Sequence, residues 1–103
     1  MNYKIIIKAK AEFDIEDAII WYNNQQNGLG KIFYTELEKK ITRIAENPLL
    51  FAVRYAEILR MTLLRNFPYT VHYIIDEDNR KVFILRVLHH KKDSGNWTEI
   101  EKE

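Results

Sequence analysis

The sequence predicts an α+β fold: an N-terminal strand, an antiparallel two-helix hairpin, then a three- or four-stranded antiparallel meander, with both helices on one face of the sheet. Three observations predict it. Apolar residues recur at helical spacing through the first half of the chain. They alternate in twos through the second half. Gly28 and the pair Asn47-Pro48 punctuate the helical half where turns are needed.

Each element follows from local chemistry. Residues 3–8 are short and rich in isoleucine, which suits a strand. Residues 10–26 read as a helix, because Ile15, Ala18, Ile19 and Tyr22 share one face. Glu12, Asp14, Glu16 and Asp17 fall in its early turns, where the helix dipole favours negative charge. Gly28 can take the left-handed conformation of a helix exit. A second helix spans about 29–46, with Phe33, Leu37, Ile41 and Ile44 in one stripe. Asn47-Pro48 ends it, since the residue before proline avoids the helical region. The short connection makes the two helices antiparallel neighbours. Residues 51–56 form a short edge strand or a loop. Residues 59–66, 69–76 and 81–88 then read as three strands, with a polar hairpin turn at Asp76-Glu77-Asp78-Asn79-Arg80.

Composition narrows the class. A chain of 103 residues is expected to form one domain, 1–103. At that size folding removes roughly two-thirds of the unfolded surface from water. A hydrophobic content of 47% argues against disorder. There is no cysteine, so neither a disulfide framework nor a thiolate metal site is available. The start of the chain lacks the long apolar core of a secretory signal. No run approaches the ~20 apolar residues that cross a bilayer. A cytoplasmic protein with no membrane partner and no cofactor is expected.

The alternation also predicts two faces. Leu59, Met61 and Leu63, then Tyr69, Val71, Tyr73 and Ile75, then Phe83, Leu85 and Val87 should lie under the helices. Arg60, Thr62, Thr70, His72 and Arg86 should then form the opposite face. The net charge is only +1, but bases outnumber acids on the strands while the last residues are acidic. A cationic sheet face would suit an acidic or phosphate-rich partner, although a solvated face reads equally well. No P-loop, dinucleotide fingerprint or serine–histidine–acid arrangement is present. His89 and His90 are adjacent on a strand and point apart, which is poor metal geometry.

Taken in order, several of these residues resemble the RelE/ParE superfamily of toxins from type II toxin–antitoxin systems. They are Asp14-Ile15, Trp21-Tyr22, Gly28-Leu29-Gly30, Phe33, Ile44 with Asn47-Pro48, Arg60, Phe67-Pro68-Tyr69, Tyr73, His89 and Trp97. The arrangement is most similar to the ParE-like, plasmid-stabilisation branch. The resemblance implies a bacterial growth-inhibiting toxin neutralised by a cognate antitoxin protein. It implies one of two targets: DNA gyrase, or mRNA on the ribosome.

The residues lean toward the first target. Cleaving RNA needs a proton-transfer group and a cation on the phosphate, roles that suit histidine and arginine. The resemblance would place a RelE-type catalytic arginine directly after Tyr69, where this chain has Thr70. The basic–aromatic ending of RelE is only loosely echoed by Lys92 and Trp97. The candidates left for catalysis are His89, His90, Arg60, Arg65 and Lys92. Those for binding an antitoxin or target are Arg60, Thr62, Thr70, His72, Arg86 and Lys91. Each has a plainer reading: Arg60 as a structural ion-pair partner, Arg65 as a turn residue, His89 as a packing residue, and Trp21-Tyr22 as hairpin packing. Two alternatives to a non-nuclease toxin stand beside it: a ribosome-dependent mRNA endonuclease using His89 or His90, and a non-toxic antitoxin-binding module.

Overall fold

The computed structural model describes residues 2–50, 53–54 and 58–90, with only the backbone at 53–54. Strand β1 (Lys4–Ile7) leads into helix α1 (Ala9–Gln25) and helix α2 (Leu29–Glu46). Strands β2 (Val53–Arg54), β3 (Arg60–Leu63), β4 (Tyr69–Asp76) and β5 (Lys81–His89) follow. The sheet order is β1-β5-β4-β3-β2. Strands β2 to β5 form the antiparallel meander, and β1 adds to β5 in parallel. A parallel neighbour needs a crossover of a dozen or more residues. Here the helical hairpin begins that path and the meander completes it.

The hairpin follows from its sequence. Gly28 has φ +88°, the left-handed conformation at which the chain leaves α1 and enters α2. Two residues on, Gly30 lets the helices approach closely. A Cβ there would lie 2.6 Å from the Ile19 carbonyl oxygen. Its N–H donates to Asn23 Oδ1 at 2.8 Å, which ties the start of α2 to the end of α1. The helices bury Ile15, Ala18 and Tyr22 from one and Phe33, Leu37 and Ile44 from the other. Against them lie Tyr69, Val71, Tyr73, Val82, Ile84 and Val87 from the sheet. Tyr22, Phe33, Phe67 and Tyr69 form an aromatic cluster with ring centroids 5.0–6.0 Å apart. It seats the Phe67-Pro68-Tyr69 corner directly against the helical hairpin.

The expected faces hold on β4 and fail on its neighbours. Tyr69, Val71, Tyr73 and Ile75 do pack on the helical side. On β3 the parity is reversed: Arg60 pairs with Tyr73 and Thr62 with Val71, and directly paired residues share a face. Arg60 and Thr62 are therefore on the helical side, and Leu63 is half exposed on the other. On β5, Arg86 pairs with His72 but Ile84 pairs with Tyr73, so Leu85 is an extra residue. This bulge shifts the alternation, so Val82 and Ile84 enter the core ahead of it and Val87 after it. Phe83 and Leu85 do not lie beneath the helices as expected. Leu85 joins Leu59, Leu88 and Ile74 in a second apolar cluster. Among the described residues the sheet is apolar on both sides, and they form no single arginine-bearing outer face.

Candidate functional site

The Phe67-Pro68-Tyr69 corner and the end of β5 meet. The His90 N–H donates to the Pro68 carbonyl oxygen at 2.6 Å. Tyr69 and His89 are paired across the strands, with their rings edge to face at 5.3 Å. His89 is half-buried on the helical side, where alternation places it, and His90 is exposed. Arg65, just before the corner, is exposed as well. Its neighbour Asn66 is held by Glu36 of α2, whose carboxylate accepts from the Asn66 N–H at 3.0 Å and from its side-chain amide. Lys91, Lys92 and Trp97 lie outside the described residues.

The remaining predicted residues disperse. Thr70 and His72 are 0% exposed, which takes them out of reach of any partner at the surface. The Thr70 hydroxyl donates to the Leu88 carbonyl oxygen at 3.3 Å and lies 2.6 Å from His72 Nε2. The two side chains are thus hydrogen-bonded to each other inside the sheet. Burial, and then the nearby Arg86 charge, lower the His72 pKa to about 4. Arg60 sits beside Tyr73, whose hydroxyl donates to the Pro48 carbonyl oxygen at 2.5 Å. Burial raises the Tyr73 pKa to about 12, against the opposing pull of the Arg60 charge. Arg60, Thr62, Thr70, His72 and Arg86 therefore do not share a surface: strand register moves the first pair, burial removes the second, and an ion pair takes the last.

That ion pair was not foreseen. Arg86 Nε and one terminal nitrogen donate to the two oxygens of Asp14 at 2.8 and 3.0 Å. The Val87 N–H donates to the same carboxylate at 3.0 Å. Strand β1 ends at Ile7, opposite Ile84, so among the described residues the edge of β5 beyond it has no strand neighbour on that side. Asp14, early in α1, supplies the acceptor that a strand would have supplied. Asp14, Asp17, Ala18, Trp21, Tyr69, Arg86 and Val87 line a cleft of about 320 Å³ beside it. The signal in the sequence was an acid next to Ile15 in a helix expected to pack on the sheet, but its partner is 72 residues away. Among the described residues no group of three side chains could hold a metal ion. No helix among them is long and apolar enough to cross a membrane.

The ParE toxin family of type II toxin–antitoxin systems (parDE) matches residues 5–94. The chain belongs to that family. As a ParE-family toxin it is the toxin component of such a system. No curated protein is a significant match. Among solved structures, it resembles the chromosomal ParDE system of P. aeruginosa with a TM-score of 0.73 at 14% identity, covering 84% of this chain and 95% of that one. A free E. coli RelE toxin with two arginines replaced by alanine gives 0.74 at 20%, covering 99% and 97%. The M. tuberculosis RelBE2 toxin–antitoxin complex gives 0.63 at 20%, covering 86% and 99%. These likenesses are of fold, and they fit the α+β architecture of this ParE-family chain.

Proposed function

We propose that this ParE-family toxin arrests growth without cutting RNA, with DNA gyrase as its target, and that a cognate antitoxin holds it inactive in the cytoplasm. The single observation that carries this reading is the state of the residue after Tyr69. It is Thr70, fully buried and hydrogen-bonded to Leu88 and His72. A phosphodiester cannot reach it, and it carries no charge to neutralise one. Two further groups argue the same way. Arg86 already gives Nε and one terminal nitrogen to the Asp14 carboxylate. His72 is neutral and sealed, so it cannot exchange protons with a substrate. The family match to ParE toxins supports gyrase over the ribosome.

The endonuclease reading keeps one specific observation: His90 is exposed at the strand end, beside the half-buried His89 and the corner. Induction of the chain in cells separates the two. The gyrase reading expects trapped DNA breaks and stalled replication with full-length transcripts. Rapid loss of translated mRNA, abolished by His90→Ala, would replace it with the nuclease.

A further inference from the structure

Both helices keep one side off the sheet, and that outer side is not uniformly polar. On α1, Ala11, Ile15, Ala18 and Tyr22 are buried, so Phe13, Asp17 and Ile20 fall on the opposite side of the helix. Phe13 is 67% exposed and Ile20 57%. Glu12, Glu16 and Asp17 stand around them and are exposed as well. On α2, burial of Phe33, Leu37 and Ile44 turns Lys31, Ile32, Thr35 and Lys39 outward. These four line a shallow hollow of about 270 Å³ together with Glu36, and Ile32 is 58% exposed in it. Glu36 keeps its charge there, but its carboxylate is turned to Asn66. The outer face of the hairpin is therefore acidic and apolar on α1, and mainly basic and apolar around the hollow on α2.

We infer that this face joins two copies of the chain, with α1 of each lying over α2 of the other. A two-fold interface sets one patch against itself, and this patch is its own electrostatic complement. Gly30 abuts Ile19 and Asn23, which sets the register between the two helices. Turning a second copy about an axis along the hairpin keeps that register, so its α1 runs antiparallel to the α2 beneath it. Asp17 of the second copy then falls over Thr35, between Lys31 and Lys39, above the hollow. Ile20 of that copy meets Ile32 and the Lys31 stem. Glu38, which interrupts the basic run, falls opposite the uncharged Phe13. The other symmetric packing, α1 on α1, sets Glu16 and Asp17 against their own copies and is opposed by charge. The same acids turn away a nucleic acid or an anionic membrane. Helices of 17 and 18 residues are about 25 Å long. Pairing two such hairpin faces buries on the order of 1,000 Å², the low end for a specific interface. The dimer is therefore a reversible one.

Sedimentation equilibrium of the purified chain, from low to high micromolar concentration, tests this. The wild type should dimerise with a Kd on the order of 10 μM. Asp17→Lys and Lys31→Glu/Lys39→Glu should each raise that Kd at least about 20-fold, because like charges then face one another across the interface. Mixing the two variants should restore a dimer of one copy of each, since each reversed helix meets its reversed counterpart. Asp78→Lys, in the exposed β4–β5 turn, should stay within about twofold of the wild type. All these side chains are exposed, and thermal melts check that each variant folds. A chain that is monomeric at every concentration overturns the inference. So does a dimer that both reversals leave intact, or a mixture that fails to restore it. A monomeric chain whose Asp17→Lys variant loses gyrase inhibition would overturn it too, by giving the face to the target.

Discussion

Asp14 makes the sharpest structural prediction. Its carboxylate accepts two hydrogen bonds from Arg86 and one from the Val87 N–H, and so joins α1 to the edge of β5 beyond β1. Asp14→Ala removes all three hydrogen bonds at once. Breaking a buried ion pair by deleting one partner costs about 3–5 kcal/mol, and an edge N–H losing its acceptor adds about 1–3 kcal/mol. The pair is 16% and 15% exposed, and Arg86 has other contacts, so water and neighbours recover part of that sum. A net loss of about 3 kcal/mol remains. For a domain of this size each kcal/mol moves Tm by about 4 °C or more, so the melt monitored by circular dichroism should fall by roughly 12 °C. Asp14→Asn should fall between, because its amide oxygen can still accept from Val87 while its amide nitrogen opposes the guanidinium. A double-mutant cycle with Arg86→Met should give a coupling above about 1.5 kcal/mol. If Asp14→Ala melts within about 2 °C of the wild type, the view of Asp14 as the clasp on β5 is wrong.

Three further outcomes follow from the core. His72 has a folded pKa of about 4 against 6.5 for the free side chain, so the unfolded chain takes up its proton first as pH falls. Stability should be full above about pH 6.5, decline toward pH 4 by about 3 kcal/mol and then level off; urea titrations across that window should show this slope, and His72→Leu should flatten it. Gly30→Ala should cost about 2 kcal/mol by urea denaturation, since the new Cβ would meet the Ile19 carbonyl oxygen and the Asn23 side chain. An unchanged midpoint would show that the hairpin has room to relax. Tyr73→Phe removes the donor to the Pro48 carbonyl oxygen, and calorimetry should register a loss of about 1–2 kcal/mol.

The helical half of the chain was legible because its signals are local. The stripes Ile15-Ala18-Tyr22 and Phe33-Leu37-Ile44 are set by a fixed period, and the exit at Gly28 by one residue's conformational freedom. The boundaries of α2 match expectation for the same reason. The sheet was legible as strands but not as faces. Alternation says which residues share a side within a strand and not which side that is. Strand β4 read correctly because its tyrosines and valine outweigh the polar set. Strand β3 read inverted, because Leu59 and Met61 serve the second apolar cluster side while Thr62 is buried beneath the helices. In β5 one inserted residue, Leu85, moves Phe83 off the helical side, while Arg86 stays paired with His72 and is taken by Asp14. No local sequence signal marks a bulge between two apolar runs. The single face expected for Arg60, Thr62, Thr70, His72 and Arg86 is lost to the register of β3, the burial of Thr70 and His72 and the Asp14 ion pair, while the corner pair Tyr69 and His89, placed by their strand ends, stays together.

The most direct measurement sets the purified toxin against two substrates in parallel: DNA gyrase with relaxed plasmid, and translating ribosomes with a defined mRNA. A buried, uncharged Thr70 and an occupied Arg86 predict that supercoiling stops and cleaved DNA complexes accumulate while the mRNA stays full length. Ribosome-dependent cuts in the mRNA, with supercoiling untouched at saturating toxin, would contradict the account.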